Sequence, residues 1–526
     1  MEPGSLGAPG SVTRPARRSG DGLTADALAV LQPGFDGTTP PDWLCRRLAE
    51  GLGSVALFAR NVRDPEQLAA LTGRLRRERP EVLVAIDEEG GDVTRLEARQ
   101  GSSFPGNLAL GAVDDPELTR SVARELGRAL ASCGVNLNWA PSADVNSDPR
   151  NPVIGVRSFG SEPELVARHT AAYVTGIQQA GVAACAKHFP GHGDTTVDSH
   201  HALPTIDVDQ DLLAARELLP FRAALAAGSK AVMSAHIVVP ALDPDRPATL
   251  SPSVLTGLLR APVEAGGLGY DGLVVTDGLE MDAISGTYGL ERGAVLAVAA
   301  GADAICVGGG LTDEETVLRL RDALVDAVRS GELPEARLAD AAARVRALGE
   351  WTTGQAPAVR DGVVPDLAVG LAAARRAVRV TPGEGAFEPV SAPPHVAALT
   401  PVANVAVGEQ TPWGLAAELD RMLPGTTVDT VRAAEATSGD LPAIMANVLA
   451  RARDRRIIVA VRDVHRHPWM AATLDGLVTA RPDAIVVEMG VPQAHPVGAL
   501  HIATHGAARV CGRAAAEVIV GEGTGR

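Results

Sequence analysis

The chain has 526 residues, a length that exceeds one ordinary domain and accommodates a large barrel followed by a smaller domain. Hydrophobic residues make up 46% of the composition, which is enough for a sizeable core, and aromatic residues make up only 3%. The formal net charge is −16, and a field of that sign repels polyanions. The composition therefore argues against nucleic acid and anionic membranes as partners, and it leaves room for a local pocket of Lys and Arg for one anion.

The cysteines and the first residues of the chain predict the cellular compartment of the protein. No two of the five cysteines form a Cys-x-x-Cys pair, and their number is odd: Cys45, Cys133, Cys185, Cys306 and Cys511. This usage is typical of reduced thiols and predicts a cytoplasmic protein. Residues 1–22 are rich in Gly, Pro, Ser and Arg without an apolar segment, so we expect a disordered tail there and no secretory signal. No run of eighteen apolar residues predicts a membrane span.

Residues 23–350 alternate short apolar runs with amphipathic helical patterns. The runs predict eight strands: Ala27–Leu31, Ser54–Phe58, Val82–Ile86, Val135–Trp139, Val182–Ala186, Ala231–Ser234, Gly272–Thr276 and Ala304–Val307. The helical patterns include Pro65–Arg77, Pro116–Cys133, Pro163–Ala180 and Asp211–Ala227. Alternation implies parallel strands, and eight such units predict a (β/α)8 TIM-like barrel that a helix over Glu335–Glu350 closes.

Polar residues follow most of these strands at their carboxyl ends. They are Asp87, Glu88 and Glu89 after the third strand, Asp144 after the fourth, Lys187 and His188 after the fifth, His236 after the sixth and Asp277 after the seventh. Barrels build their active sites on this face. An open doubly wound sheet would also alternate strand and helix, but it would gather polar residues at one switch point.

The remainder of the chain has a different pattern of apolar runs and of Gly and Pro. Residues 351–392 contain several Gly and Pro around one helical segment, Asp366–Val378, and predict a linker. Residues 393–526 predict a smaller α/β sandwich domain with a mostly parallel sheet, from the runs His395–Leu399, Asn404–Gly408, Arg456–Val461, Ala484–Glu488 and Leu500–Ala503, with helices such as Thr411–Met422 between them. No Gly-rich nucleotide fingerprint follows any of these runs. Two interpretations are open for His465, His467, Trp469, His495 and His505: they line a cleft, or they are scattered surface positions, which is the favoured interpretation.

One loop concentrates reactive side chains. The stretch KHFPGHGDTTVDSHHALP, Lys187–Pro204, contains one Lys, four His and two Asp. A solvated polar loop, a metal site and an acid/base pair are open interpretations, although no His-x-x-x-His pair lies in a helical pattern and no Cys joins the cluster. The acid/base pair would be Asp198 and His200, because in an extended loop their i, i+2 spacing puts both side chains on the same side.

A second stretch, DGLVVTDGLEM (Asp271–Met281), brings Asp277 to the end of an apolar strand. An Asp at a strand end is a helix cap about as often as a catalyst. Together with the His loop it is more informative, because a carboxylate that faces a proton donor is the minimum needed for displacement at an anomeric carbon. The carboxylate attacks that carbon, and the donor protonates the leaving oxygen.

Four motifs in this order resemble glycoside hydrolase family 3: IDEEGGDVTRL (Ile86–Leu96), NPVIGVRSFG (Asn151–Gly160), the His loop and VVTDGLEM (Val274–Met281). More narrowly, they are similar to the β-N-acetylhexosaminidase branch, which uses a His as acid/base. The resemblance covers roughly residues 25–350 and fits the two-domain length. It implies no cofactor and no metal.

The resemblance also implies residue roles. Asp277 matches the nucleophile, His200 the general acid/base and Asp198 its partner. The sugar-binding positions are Asp87, Arg95, Arg157, Lys187 and His188. Arg95 and Arg157 are alternatively ion pairs on the barrel rim, and His188 is alternatively a satisfied core histidine. The positions interpreted as structural are Glu88, Glu89, His192 and Asp194.

Two positions depart from the family pattern. Asp92 stands where related sequences often carry a basic residue, and we expect this to alter substrate reach beyond the −1 sugar. Gly278 stands where many carry a second Asp, which changes the hydrogen-bonding neighbours of the nucleophile.

The leading functional hypothesis is a retaining exo-β-N-acetylglucosaminidase that acts on cell-wall fragments or chitin oligomers, a small carbohydrate substrate. Because a His that has given up its proton is uncharged, phosphate is not repelled, so a phosphorylase that forms the sugar 1-phosphate is an alternative. A metallohydrolase and an inactive barrel that only binds sugar are further alternatives.

Overall fold

The computed structural model describes residues 20–195, 203–310, 313–359, 364–384, 387–402, 406–407, 411–439 and 441–522. Within these ranges no helix is both long and apolar enough to cross a bilayer. The predicted acid/base pair, Asp198 and His200, lies in 196–202, outside the described residues.

The first half of the chain forms a parallel sheet whose strands follow chain order. The strands are β1 (Leu31–Pro33), β2 (Ser54–Leu57), β3 (Leu83–Ile86), β4 (Leu137–Asn138), β5 (Ala183–Phe189), β6 (Ala231–Ser234), β7 (Leu273–Thr276) and β8 (Ile305–Val307). Strands β2 to β7 pair in sequence, and β1 pairs with β8. A bridge between Val275 and Ala304 continues the sheet from β7 toward β8. The predicted α/β class with a barrel-like parallel sheet is confirmed.

Helices connect these strands and cover the outer face of the sheet. They are α1 (Gly20–Ala29), α2 (Asp42–Glu50), α3 (Pro65–Glu78), α4 (Asn107–Val113), α5 (Pro116–Ser132), α6 (Pro163–Gln179), α7 (Gln210–Leu212), α8 (Leu218–Ala226), α9 (Asp282–Tyr288), α10 (Leu290–Ala300), α11 (Glu314–Ser330) and α12 (Glu335–Val359). Two π-helical segments, Leu213–Glu217 and Ser253–Arg260, complete the layer. Helices α3 and α5 each start with a proline behind an Asp whose side chain accepts a backbone N–H, as expected for a good N-cap.

The strands are buried on both faces, which explains why they read as continuous apolar runs. On β3, Leu83 and Ala85 belong to an inner cluster, whereas Val84 and Ile86 belong to the cluster beneath the helices. The inner cluster also contains Trp139 and is joined by residues of α12. Parallel strands covered on both sides place their polar residues at the strand ends, where the loops begin.

A second sheet forms from the remainder of the chain. Its strands are β9 (Arg379–Pro382), β10 (His395–Thr400), β11 (Thr427–Arg432), β12 (Ile457–Val461), β13 (Ile485–Glu488) and β14 (Leu500–Ala503), in the order β11-β10-β12-β13-β14-β9. All pairs are parallel except that of β14 with β9. The accompanying helices are α13 (Ala368–Ala377), α14 (Ala416–Met422), α15 (Ala433–Ser438), α16 (Leu441–Ala452), α17 (Pro468–Ala480) and α18 (Arg509–Val520).

Several boundaries differ from the sequence predictions. The run Ala27–Leu31 is not one strand, because α1 continues to Ala29 and β1 begins at Leu31; a short apolar run cannot be assigned by periodicity alone. The predicted strand Asn404–Gly408 is wrong at Ala406 and Val407, which form a turn, and its other positions lie outside the described residues. Strand β11, which lies at the edge and is mostly exposed, was not predicted, and β9 lies inside the predicted linker.

The loops at the carboxyl ends of the two sheets face each other. Asp92, on the loop after β3, pairs with Arg462, which follows β12. His465 Nε2 lies 2.8 Å from the carbonyl oxygen of Pro149. Loops of the second sheet therefore cover one side of the carboxyl edge of the first sheet.

Candidate active site

Lys187 and Glu89 lie at the centre of a buried charge network at the carboxyl ends of β3 and β5. Lys187 Nζ lies 2.6 Å from Asp87 Oδ1 and 2.7 Å from Glu89 Oε1. The Arg157 guanidinium donates to both Glu89 oxygens, from Nε at 3.0 Å and from Nη2 at 2.7 Å. Of these four side chains, Asp87 is the most exposed, at 23%. Asp87 is thus the group of the network that can accept hydrogen bonds from a ligand in the mouth of the sheet.

The charges in this network fix its protonation states. Burial alone would raise the pKa of Glu89, but Arg157 and Lys187 hold it well below its usual range. Burial alone would lower the pKa of Lys187, yet Asp87 and Glu89 outweigh it and the pKa is raised. The pKa of Arg157 is raised by Glu89 for the same reason. Glu89, Lys187 and Arg157 are therefore charged at neutral pH, which keeps Lys187 a hydrogen-bond donor.

His188 is oriented by Asp144, which follows β4 and is completely buried. Asp144 Oδ2 lies 2.7 Å from His188 Nδ1, and Asp144 Oδ1 accepts the backbone N–H groups of His188 at 3.1 Å and His192 at 2.8 Å. Burial would raise the pKa of Asp144, but His188 lowers it, so the carboxyl is ionised. An ionised partner holds a proton on Nδ1 of His188, and Nε2 on the other side of the ring lies 3.4 Å from Arg157 Nη2.

His192 lies beside His188 in this cluster, with ring centroids 5.9 Å apart. Burial, with the neighbouring His188, lowers the pKa of His192 to about 4. The ring is therefore neutral over the physiological range. Asp194 pairs with Arg216 on the π-helical segment, away from the network, in keeping with the structural interpretation of that residue.

Asp277 follows β7 directly and is partly exposed at the carboxyl edge. Its backbone N–H donates to Ser234 O at 3.2 Å, and its Oδ1 accepts from the Gly278 N–H at 2.8 Å. The next peptide is fixed as well, because His236 Nε2 lies 3.0 Å from Gly278 O. Glu280 ties this loop to the one after β8 by accepting from the Gly308 N–H at 3.1 Å and from Gly309. The backbone around Asp277 is thus held from three sides.

Arg95 is bound to the second half of the chain more closely than to the charge network. Its Nη2 donates to Ala406 O at 2.7 Å, whereas its distance to Asp87 Oδ2 is 3.8 Å. Glu88 holds the loop that carries Arg95 by accepting two backbone N–H groups, at 2.8 and 2.9 Å. Burial raises the pKa of Glu88 to about 7.

Asp92 is a buried contact between the two halves. One carboxylate oxygen accepts the Ala507 N–H at 2.7 Å, and the other pairs with Arg462. Its negative charge therefore has a structural partner, which the expectation of altered substrate reach did not foresee.

The structure brings five of the sequence-predicted site residues to one edge: Asp87, Lys187, His188, Arg157 and Asp277. Asp198 and His200 lie outside the described residues, and the catalytic roles stay predictions. Sequence reasoning placed Asp144 at a strand end without giving it a role, and it left Glu89 structural. The i, i+2 spacing of Asp87 and Glu89 was the available signal, since it puts both side chains on one side of an extended chain.

Among the described residues no group of three His, Cys, Asp or Glu side chains is arranged to hold a metal ion. Because the His loop lies partly in 196–202, this observation does not extend to all of its imidazoles.

Comparisons with known proteins find similar sequences and structures. Residues 47–348 match the model of the glycosyl hydrolase family 3 N-terminal domain. Beta-hexosaminidase A of Pseudoalteromonas piscicida is 36% identical over 336 residues, which cover 59% of this chain and 55% of that protein. The beta-hexosaminidase of Alkalilimnicola ehrlichii is 39% identical over 262 residues, 48% of this chain and 73% of that protein. The chain thus spans only about half the length of the first of these relatives.

A solved structure resembles nearly the whole chain. It is a glycoside hydrolase family 3 beta-N-acetylglucosaminidase from Paenibacillus sp. FPU-7, with a TM-score of 0.82 and 36% identity over 95% of this chain and 97% of that one. The similarity includes the second sheet as well as the first. The resemblance inferred from the four motifs is therefore confirmed.

Proposed function

This chain belongs to glycosyl hydrolase family 3, and we propose that it is a retaining exo-β-N-acetylglucosaminidase. The observation that carries the proposal is the position of Asp277 on the same carboxyl edge as the charge network of Asp87, Lys187, Glu89 and Arg157. A carboxylate and fixed donors on one edge form a site for a neutral sugar whose hydroxyls both donate and accept. The beta-hexosaminidase and beta-N-acetylglucosaminidase names of the relatives support the acetamido sugar.

In this mechanism Asp277 attacks the anomeric carbon and forms a covalent glycosyl-enzyme. The backbone contacts of Ser234 and Gly278 hold the carboxylate in place, so little reorganisation is needed at the moment of attack. Asp87 accepts hydrogen bonds from sugar hydroxyls while Lys187 donates to it and neutralises its charge.

The proton transfers are assigned to the Asp198–His200 pair on the strength of the sequence motif. His200 protonates the leaving oxygen in the first step and accepts a proton from water in the second. Each of the two displacements inverts the configuration of the anomeric carbon, so the two together give net retention.

We infer a closed (β/α)8 barrel over residues 23–350 and an α/β sandwich domain over 393–526, joined by 351–392. The pairing of β1 with β8 and the Val275–Ala304 bridge support closure. The mostly parallel order of the second sheet supports the sandwich.

We place the enzyme in the cytoplasm, acting on cell-wall fragments. All five cysteines are buried and free, which suits a reducing compartment. Cell fractionation with detection of the native protein tests this placement.

Turnover of an aryl β-N-acetylglucosaminide, followed by NMR in phosphate buffer, tests the activity. We expect the β-anomer of N-acetylglucosamine as the first product. Accumulation of N-acetylglucosamine 1-phosphate instead would identify a phosphorylase. The α-anomer as first product would exclude a retaining mechanism, and no turnover of any aryl glycoside would leave a sugar-binding barrel.

A further inference from the structure

A cavity of about 1400 Å³ lies between the loops of the first sheet and the carboxyl edge of the second. Its lining includes Asn151 and Arg157 from the first half and Pro401, Arg462 and Trp413 from the second. Asp87, Lys187, His236 and Asp277 are not among the lining residues. The cavity meets the buried charge network of the sugar site at Arg157. The proposed hydrolysis leaves this space without a role.

The cavity lies at a topological switch point. From β10 the chain passes to β11 on one side of the sheet and then to β12 on the other, so the strand order reverses between β10 and β12. Open parallel sheets bind ligands in the crevice outside the carboxyl ends of the strands at this place. Pro401 and Val402, which follow β10, line the cavity together with Arg462 and Asp463, which follow β12.

The charge of the lining opposes that of the whole chain. Seven arginines and four carboxylates among the described residues line the cavity, in a chain of net charge −16. Two of these carboxylates pair with two of the arginines, Asp92 with Arg462 and Glu418 with Arg421. Arg157 and Arg509 pair with Glu89 and Glu97, which are not part of the lining. Arg432 and Arg466 have only long carboxylate contacts, of 4.0 and 3.9 Å. A concave region with excess guanidinium groups attracts anions and binds phosphate oxygens with well-directed donors.

Arg466 is only weakly compensated by the carboxylates around it. Its side chain is 20% exposed, and its nearest carboxylate contact, with Asp463, is 3.9 Å long. Burial lowers the pKa of Arg466; Asp463 opposes this shift and Arg462 adds to it. The adjacent His467 precedes α17, a helix of 13 residues whose amino end adds partial positive charge.

Half-buried Trp413 supplies an apolar surface in the same cavity. Tryptophan is scarce in this chain, with five in 526 residues, so a Trp beside an arginine cluster is a specific feature. Ligand sites combine an apolar wall with a few convergent polar groups, as this one does.

We propose that this cavity is a second binding site, distinct from the sugar site, for a small phosphate-bearing molecule held by Arg466 and Arg432, with Trp413 covering any organic part. Arg432 ends β11 and faces the cavity with a 67% exposed side chain. The arginines replace the Gly-rich loop that phosphate sites in parallel sheets commonly use.

Isothermal titration of the full chain with sodium pyrophosphate tests the site, with sodium sulfate at equal ionic strength as the reference. We expect saturable binding of pyrophosphate that weakens about tenfold or more in Arg466→Gln and, separately, in Arg432→Gln, since each removes a charge-assisted hydrogen bond. The matched control is Arg451→Gln, which changes an exposed arginine of the same sheet unit that pairs with Asp429 outside the cavity. Circular dichroism confirms that each variant is folded.

Titration with ADP distinguishes an organic phosphate from inorganic polyphosphate as the ligand of the cavity. Tighter binding of ADP than of pyrophosphate, lost in Trp413→Leu, identifies an organic phosphate, whereas equal affinities identify inorganic polyphosphate; both outcomes support the site. Absence of saturable binding, or equal weakening in Arg451→Gln, overturns it. Strictly competitive inhibition of aryl glycoside turnover by pyrophosphate also overturns it, because the anion would then occupy the sugar site.

Discussion

Arg462, directly after β12, forms an ion pair with Asp92, on the loop after β3, and so joins the second sheet to the loop that carries the IDEEGGDVTRL motif. Asp92 is 2% exposed and Arg462 is 14% exposed. Burial of Arg462 would lower its pKa, but Asp92 outweighs burial and raises it. Because both charges are largely desolvated, each depends on the other for its stability in the fold.

We predict that Arg462→Met lowers the free energy of unfolding by about 3 kcal/mol, because it leaves a buried carboxylate without its counter-charge. Chemical denaturation followed by circular dichroism measures the change. The double variant Asp92→Asn with Arg462→Met should lose less than the sum of the two single variants, since no buried charge remains.

The matched control for this cycle is Arg451→Met. Arg451 also pairs with a carboxylate, Asp429, at 2.9 Å, but its side chain is 62% exposed, so its loss should cost less than about 1 kcal/mol. Strict additivity of the Asp92 and Arg462 losses would show that the pair does not couple the two halves.

The elements and the edge of the site were predictable because they follow local rules. Parallel strands buried on both faces read as apolar runs, and the first polar residue after each run marks a loop at the carboxyl edge. Asp87, Lys187 and Asp277 were found in this way. The strands that were missed, β9 and β11, are the two edge strands of the second sheet, and both are mostly exposed, so no buried apolar run marks them.

Pairings between distant segments were not predictable. Glu89 bridges Lys187 and Arg157, and Asp144 orients His188, but no sequence spacing connects these residues. The sequence led us to expect that Asp92 alters substrate reach. Its ion pair could not be foreseen, because the partner, Arg462, lies in the other half of the chain. Such contacts depend on how the two sheets meet, which no local pattern encodes.

Asp277→Asn should lower kcat for an aryl β-N-acetylglucosaminide by at least about a thousandfold, because an amide cannot form the glycosyl-enzyme. Asp282→Asn, on the exposed first turn of α9, is the control and should retain activity. Steady-state kinetics on variants with unchanged circular dichroism provides the comparison. Retention of a tenth of the activity by Asp277→Asn would remove Asp277 from the role of nucleophile.

His200→Ala should distinguish substrates by their leaving groups. A good leaving group such as dinitrophenolate needs little protonation, so its turnover should be mostly spared, whereas a poor leaving group should lose about 10²- to 10⁴-fold. His201→Ala is the neighbouring control. Equal losses on both classes of substrate would contradict a general acid at His200, and an effect of chelators on the wild type would favour a metal site in the loop.

Glu488, at the end of β13, accepts the N–H groups of Asp463 at 2.9 Å and Gly490 at 2.7 Å through its side chain. Burial raises the pKa of Glu488 to about 7 from its ordinary 4.5, and the charge of Asp463 adds to the shift. Between these two values the folded chain binds more protons than the unfolded chain. The stabilising contribution is therefore fully present below pH 4.5 and is lost as pH rises through about 7.

Glu488→Gln removes this titration and keeps an oxygen for the same N–H groups. We expect the wild type to lose stability relative to Glu488→Gln as pH rises, by up to about 3 kcal/mol above pH 7, because each unit of pKa shift corresponds to about 1.4 kcal/mol. Urea denaturation of both proteins at a series of pH values measures the difference, with exposed Glu435→Gln as the control. A difference that stays constant with pH would show that Glu488 is ionised in the fold, with its charge compensated by the surrounding N–H groups.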